Sequence, residues 1–288
     1  MTGGPLFVSS GDLIADRRYK WALDHAAQGD LAGAADILAQ TVELAPDFAT
    51  AWFALGAIRD NLGDRAGAIA AWQKARDADP EDYHGARLQL ARLGAGEVTP
   101  AMTAVYVRRL FDQHAETFDT SLLQRLDYRG PAVLLEAVTA VTGERPRIGT
   151  MLDLGCGTGL SGEAFRPYAD WLVGVDLSQF LAAEAEAGAR YHLILSADVF
   201  VYVSDLGPVM AASAQVLAGG GLLAFTVETH PGDGVVLQQT LRYAHGAAHV
   251  RAAIEGAGLA LLRLAPASTR TEKGAAVAGL VVVARHGF

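Results

Sequence analysis

A glycine-rich turn between an apolar stretch and a helical one limits the folds that are open to this chain. Residues 155–159 read Gly-Cys-Gly-Thr-Gly and follow a predicted buried strand over 150–154. A helix is predicted over 160–168 and a second strand over 171–176. Glycines at such a turn let the backbone approach a ligand closely, and the helix N-terminus adds unpaired N–H donors. The unit 151–178 therefore predicts an α/β fold with a ligand site at the turn.

Two acidic residues frame this turn. Asp153 stands two positions before Gly155, and Asp176 ends the second predicted strand about 20 residues later. A carboxylate after the second strand is placed to accept both hydroxyls of a ribose. The turn thus predicts a site for a cofactor of the nucleoside type.

Three interpretations of the turn stay open. The spacing Gly157-x-Gly159-x-x-Gly162 formally matches a dinucleotide fingerprint, which is a weak signal alone. A carboxylate at Asp153 would repel a pyrophosphate, whereas it would suit the ammonium of a methionine moiety. The third interpretation is a glycine turn that serves packing only.

The N-terminal third repeats itself. Residues 17–48 align on residues 51–82 with an offset of 34 residues, which is the tetratricopeptide (TPR) spacing. Gly56 and Ala68 would let two antiparallel helices approach closely, and Trp72 would fill the groove between them. The repeat resembles a TPR pair. Its signature positions in the second copy are Trp52, Leu55, Gly56, Ala68, Trp72, Ala75 and Pro80.

A third helix and a boundary follow the repeat. Residues 83–93 predict a helix that covers the last apolar face, and the Gly-rich segment 94–100 marks a domain boundary. We expect an all-α repeat domain over 13–97 and a second domain over 98–288. Peptide binding on the concave face is one hypothesis for the repeats. A packing or dimerisation module is the other.

From residue 131 onward, strands and helices alternate, which predicts a mainly parallel sheet covered on both faces. The last two strands are joined by a loop, which favours an antiparallel hairpin at one edge. The predicted helices are 131–142, 160–168, 179–188, 205–217 and 247–257. The predicted strands are 150–154, 171–176, 191–196, 221–227, 259–264 and 277–284.

The string Asp-x-Gly-Cys-Gly-Thr-Gly over 153–159, with Asp176, resembles motif I of class I S-adenosylmethionine-dependent methyltransferases. The segment 106–119 resembles the helix that lids the cofactor, and 197–203 the segment that flanks the transferred methyl. The resemblance implies a Rossmann-like domain that binds S-adenosylmethionine. The implied cofactor residues are Asp153, Gly155, Cys156, Gly157, Thr158, Gly159, Asp176, Leu177, Asp198, Val199 and Phe118.

The whole chain, with its repeats, is similar to the bacterial group of predicted methyltransferases that contain TPR repeats. One departure concerns the stretch after Ser178. That class places a helix and an edge strand there, whereas only about a dozen residues separate Asp176 from the strand near Tyr191. Either the protein lacks this unit, or residues are missing from the sequence as given. A true deletion would weaken the adenine side of the site.

Methyl transfer from a sulfonium is an in-line displacement, so the enzyme mainly aligns the nucleophile and excludes water. The catalytic candidates are Tyr202, Tyr243 and His245, all expected at the carboxyl edge of the sheet. His245 is the preferred base, and its alternative is a surface or helix-capping histidine. Arg242 and Glu228 are further candidates on the acceptor side. No metal site is predicted.

Composition limits the partners and the cellular compartment that we expect for this chain. The net charge is −9, which argues against a general nucleic-acid surface, and a single cysteine, Cys156, fits a reducing compartment. No apolar run has the length of a membrane span. We expect a cytoplasmic methyltransferase with an unidentified acceptor and a peptide or protein partner on the repeats. The alternative is a repeat-based interaction protein whose methyltransferase domain is impaired.

Overall fold

The chain is represented by a computed structural model, which describes residues 7–112, 127–143, 147–175, 184 and 188–287. Its contacts divide it into two compact units, Met1–Ala115 and Glu116–Phe288.

The first unit is helical. In chain order α1 packs on α2, α2 on α3, α3 on α4, and α4 on α5. The helices are α1 Leu13–Ala27, α2 Leu31–Leu44, α3 Ala49–Asn61, α4 Arg65–Ala78, α5 Ala86–Arg92 and α6 Ala104–Asp112.

The predicted repeat recurs in the caps of the helices. Asp30 and Asp64 each accept a hydrogen bond of 2.9 Å from the backbone N–H three residues further on, at the starts of α2 and α4. The preceding Gly29 and Gly63 have φ of 87° and 80°, a region that favours glycine. The two helix pairs therefore share turn and cap geometry at the offset read from the sequence.

The core of the helical unit includes the predicted close approach of α3 and α4. Trp72 is 1% exposed, and its indole N–H donates to the carbonyl oxygen of Phe53 at 3.2 Å. A Cβ on Gly56 would lie 2.5 Å from Nε1 of Trp72. Only a glycine therefore fits at position 56 without moving this ring.

Helix α6 packs on the same unit. The guanidinium carbon of Arg109 lies 3.0 Å from the ring centroid of Tyr83, and the ring of Tyr106 lies over Gly85. The sequence places this segment in the second domain, as the start of a lid, whereas contacts assign it to the helical unit. The lid role remains a prediction, and its Phe118 lies outside the described residues.

The second unit is a mixed, mostly parallel sheet flanked by helices. Its main strand order is β2-β1-β3-β4-β10-β7, and β4 also pairs with β6, which pairs with β5. The helices are α7 Gly130–Thr142, α8 Leu160–Phe165, α9 Gly207–Val216 and α10 Ala247–Gly256. The strands are β1 Ile148–Leu154, β2 Ala169–Val175, β3 Tyr191–Ser196, β4 Leu217–Thr229, β5 Val235–Leu237, β6 Tyr243–His245, β7 Ala260–Ala267, β8 Thr271–Glu272, β9 Ala275–Ala276 and β10 Gly279–Arg285.

Alternate residues of the strands enter two separate cores, one on each face of the sheet. Leu152 and Ile194 pack with α9 and α10, whereas Met151 and Leu195 pack with α7 and α8. The sheet is therefore covered on both faces, as the alternation of strands and helices predicts.

The parallel pairs are β2 with β1, β1 with β3, β3 with β4, and β4 with β6. The predicted antiparallel hairpin at the edge is confirmed, because β10 pairs antiparallel with both β4 and β7. The predicted strands 150–154, 171–176 and 191–196 correspond to β1, β2 and β3. The short strands β5, β6, β8 and β9 are absent from the sequence prediction. Most of the predicted helix 179–188 lies outside the described residues.

Candidate functional site

The glycine turn lies between β1 and α8 and is tied to the end of β2. The backbone N–H groups of Gly155 and Cys156 both donate to the carbonyl oxygen of Val175, at 2.6 and 3.0 Å. Gly155, Gly157 and Gly159 have φ of 79°, 49° and 93°. Three left-handed residues in five explain why the sequence needs glycines here.

The outer glycines serve two different purposes. A Cβ on Gly155 would overlap the side chain of Val199, so this glycine lets the segment after β3 pack on the turn. A Cβ on Gly159 would meet no atom of the described residues within 4 Å. The backbone at the start of α8 is therefore open to a ligand.

The side chain of Cys156 faces the sheet. A Cβ on Gly174 of β2 would lie 3.1 Å from Sγ of Cys156. This packing suits the small apolar filler that the sequence suggests. Thr158, the other predicted cofactor residue between the glycines, is exposed at the tip of the turn.

Asp153 is the most unusual side chain of the turn. It is 1% exposed, and its Oδ2 has no hydrogen-bond partner in the part of the chain that the structure describes. Burial raises the pKa of its carboxyl to about 6, although the backbone N–H of Gly162 acts in the opposite direction. A buried carboxylate oxygen without a donor is suited to a cationic ligand group.

Asp198, after β3, is turned toward the protein. It has φ of 56°, and its N–H donates to Oγ1 of Thr226 at 2.9 Å. Its carboxylate accepts hydrogen bonds from Thr269 at 2.8 and 2.9 Å and from Arg270 at 3.0 Å. The carboxylate of this predicted cofactor residue is thus occupied by protein donors.

Arg270 is the centre of a buried ionic cluster that the sequence does not predict. Its side chain is 3% exposed and forms ion pairs with Asp198, Glu228 and Glu272. Burial lowers the pKa of its guanidinium, but the carboxylates of Asp198 and Glu228 outweigh this effect and raise the pKa. Arg242 joins the same cluster through Glu272 at 2.6 Å and Glu228 at 3.7 Å.

Sheet topology explains why these residues meet. β7 is antiparallel to β10, which is antiparallel to β4, so β7 runs in the same direction as β4. Arg270 follows the carboxyl end of β7, Glu228 lies near the end of β4, and Asp198 follows β3. No local pattern in the sequence links Arg270 to Asp198 and Glu228, because these acids are far from it along the chain. Only the strand order places the three residues together.

The segment before α7 reaches the same edge. The N–H of Arg129 donates to the carbonyl oxygen of Thr269 at 2.6 Å. Burial raises the pKa of the Tyr128 hydroxyl, and the carboxylates of Asp198 and Asp153 add to this rise. The Tyr128 hydroxyl is therefore close enough to the acids at two strand ends to feel their charge, and no sequence pattern marks this residue.

The three catalytic candidates occupy different environments. Tyr202 is half-buried and ends a 3-10 turn over Phe200–Tyr202, whereas Tyr243 and His245 are completely buried in β6. Nε2 of His245 lies 3.3 Å from the carbonyl oxygen of Phe200, and its ring stacks on His249 at 5.5 Å.

This environment fixes the charge state of His245. Burial lowers the pKa of its imidazole to about 4, and the neighbouring His249 contributes. The ring is therefore neutral at pH 7 and is held in the core. It is neither exposed nor a helix cap, since Gly246 precedes α10 without a side-chain cap. Its assignment as the base remains a prediction.

Three predicted cofactor residues, Phe118, Asp176 and Leu177, lie outside the described residues. Among the described residues, no group of three or more His, Cys, Asp or Glu side chains could hold a metal ion. In those same parts of the chain, no helix is both long and apolar enough to cross a membrane.

No protein-family model and no curated protein matches this sequence. Solved structures do resemble it. An S-adenosylmethionine-dependent methyltransferase from Clostridium acetobutylicum is 16% identical with a TM-score of 0.43, covering 62% of this chain and 100% of that one. A Burkholderia thailandensis 1,6-didemethyltoxoflavin-N1-methyltransferase, solved with S-adenosylhomocysteine, is 16% identical with a TM-score of 0.47, covering 63% and 88%. Streptomyces venezuelae DesVI is 18% identical with a TM-score of 0.42, covering 59% and 97%.

Proposed function

We propose that the second unit is an S-adenosylmethionine-dependent methyltransferase that acts on an unidentified acceptor. The observation that carries this proposal is a buried oxygen of Asp153 that has no hydrogen-bond partner among the described residues. It lies beside a glycine turn whose backbone those residues leave open at Gly159. A carboxylate at this position suits the ammonium of a methionine moiety and opposes a pyrophosphate. The residues therefore fit S-adenosylmethionine better than a dinucleotide.

Each part of the site has a task in this proposal. When bound, S-adenosylmethionine supplies a methyl group on a positively charged sulfur. Asp153 would hold the ammonium, the backbone of Gly155–Gly159 would contact the cofactor, and Asp176 would accept the ribose hydroxyls. Val199 excludes water from the turn by packing on Gly155.

The acceptor side is formed after β3 and β4. Tyr202 is the half-exposed candidate and would orient the acceptor. His245 holds the turn that carries Tyr202, because its Nε2 bonds the Phe200 carbonyl at 3.3 Å. A neutral buried imidazole fits this supporting role better than repeated proton transfer with an acceptor. Tyr243, buried beside it in β6, would complete the wall of the site.

The helical unit would act as a TPR pair that recruits or orients a substrate or partner. The recurring caps at Asp30 and Asp64 support the repeat. In the alternative function, these helices are the working part and the methyltransferase domain is impaired. The alternative is favoured by β2, which pairs only with β1 in the described residues. A cytoplasmic location is part of both proposals.

Calorimetric titration of the full chain separates the two functions. We expect S-adenosylmethionine and S-adenosylhomocysteine to bind and NADH not to bind. Asp176→Ala should abolish binding, because the ribose loses its acceptor. Absence of heat with both S-adenosyl ligands at millimolar concentration would favour the impaired domain. Binding of NADH instead would show that the cofactor assignment is wrong.

A further inference from the structure

Arg270 links the carboxyl ends of three strands from a buried position. Its side chain is 3% exposed and reaches Asp198 after β3, Glu228 at the end of β4, and Glu272 in β8. Such a fork of donors can hold several carboxylates at fixed angles, which an ammonium group cannot do. The cluster is therefore a rigid connection between segments that lie far apart in the sequence.

The segment after β3 depends on this connection. Asp198 has φ of 56°, which is uncommon for a residue with a side chain. Its carboxylate is held by Arg270 at 3.0 Å and Thr269 at 2.8 Å, and its N–H by Thr226 at 2.9 Å. These bonds keep the backbone of Asp198 in its left-handed conformation.

That conformation determines where the next residue points. Val199 packs so closely on Gly155 that a Cβ at position 155 would overlap it. Gly155 is the first residue of the glycine turn. The contacts thus run from Arg270 to Asp198, and from the neighbouring Val199 to Gly155 in the cofactor turn.

We propose that Arg270 is a positioning residue for the cofactor, which fixes Val199 against Gly155 through its ion pair with Asp198. This inference rests on the proposed function, because it concerns the S-adenosylmethionine site. It assigns the ion pair of Arg270 with Asp198 to cofactor binding rather than to fold stability alone.

The test is titration of the full chain with S-adenosylhomocysteine. Arg270→Lys keeps the charge but loses the fork, and we expect it to raise Kd by about tenfold or more. The matched control is Glu272→Gln, because Glu272 accepts from Nε of Arg270 at 3.1 Å, whereas Asp198 accepts from Nη1. This control should change Kd by less than about threefold. Thermal unfolding of each variant establishes that it is folded at the titration temperature.

A double-mutant cycle with Val199→Ala distinguishes positioning from general loosening. If Arg270 acts through Val199, the double variant Arg270→Lys with Val199→Ala should bind no more than about twofold more weakly than Arg270→Lys. In the unliganded protein, Arg270→Lys should also speed amide hydrogen exchange over 198–202, whereas Glu272→Gln should not.

The outcomes separate the two proposals. Wild-type binding with an unchanged Kd in Arg270→Lys would overturn the inference and leave the proposed function intact. Multiplicative effects in the cycle would overturn it as well, because Arg270 would then act independently of Val199. Absence of binding by the wild-type chain would overturn the proposed function, and the inference with it.

Discussion

At the scale of single residues, Asp153 and His245 are both buried, and burial moves their pKa values in opposite directions. For Asp153 the pKa rises from 3.8 to about 6, so ionisation is disfavoured in the folded protein. In the unliganded chain this group favours folding below pH 4, and its contribution is lost as pH rises from about 4 to about 6. Ligand binding should depend on pH in the opposite direction, because the ammonium of the ligand pairs with the ionised carboxylate of Asp153.

We therefore predict that S-adenosylhomocysteine binds more tightly as pH rises from 5 to 7, with a midpoint near the Asp153 pKa of about 6. Calorimetry at several pH values measures this. In Asp153→Asn the affinity should be lower and nearly independent of pH over the same range. An unchanged pH profile in that variant would assign the dependence to another group.

His245 gives a prediction for stability. Its pKa falls from 6.5 to about 4 on folding. Between these pH values, the histidine is protonated in the unfolded chain and neutral in the folded one. Stability from this group is present above pH 6.5 and is lost as pH falls toward 4, by about 3 kcal/mol in total. Urea unfolding should show a smaller loss between pH 7 and pH 5 for His245→Phe than for the wild type. The two proteins measured at pH 8 serve as the reference, and parallel losses would contradict the prediction.

Only some of the residues at this site can be predicted from local sequence patterns. The acid and glycines of 153–159 are a local pattern, so their placement at the end of β1 could be read directly. Arg270 and Tyr128 approach that edge only through the order of the strands and the path of the chain before α7. The burial of His245 could not be predicted from the sequence. A strand of three residues is too short to show an alternation of apolar and polar residues.

At the scale of elements, the glycine turn allows a matched pair of substitutions. Gly159 and Gly258 have φ of 93° and 73°, and in the described parts of the chain a Cβ at either position meets no atom within 4 Å. Alanine at each should cost about 1 kcal/mol of stability because of the left-handed backbone. Only Gly159→Ala should also weaken binding of S-adenosylhomocysteine, because its Cβ enters the space that the ligand needs. Equal affinities in both variants would contradict a ligand at this turn.

Helices α3 and α4 give a second prediction. Alanine normally stabilises a helix interior, but at position 56 its Cβ would lie 2.5 Å from Nε1 of Trp72. We expect Gly56→Ala to cost about 1–2 kcal/mol, since overpacking exceeds the gain in helix propensity. Gly256→Ala in α10 should cause no loss of stability, because a Cβ there meets no described atom within 4 Å. Chemical unfolding measures both, and a more stable Gly56→Ala protein would contradict this packing.

The apolar patterns of the sequence predict the long helices and strands but not the short strands. Strands β1, β2 and β3 and helix α7 lie within a few residues of their predicted bounds, because each buries a full stripe or run of apolar residues. β8 and β9 have two residues each and depend on pairing with each other. Such pairing is a property of the folded chain that no local pattern encodes.

At the scale of the whole molecule, each of the two units has its own apolar cores. We predict that differential scanning calorimetry resolves a ligand-sensitive transition and a ligand-insensitive one. S-adenosylhomocysteine at about 100 times its Kd should stabilise the second unit by about 2.7 kcal/mol. Gly56→Ala should lower the other transition. A ligand shift of both transitions to the same extent would indicate that the units unfold together.

The position of β10 has a consequence for biosynthesis. This strand lies between β4 and β7 in the sheet, although both of them precede it along the chain. Until residue 285 has left the ribosome, the backbone groups of β4 that face β10 have no strand to pair with, and β7 has no place in the sheet. β7 can therefore join the sheet only after β10 has been made, and β10 inserts between two strands that were made before it.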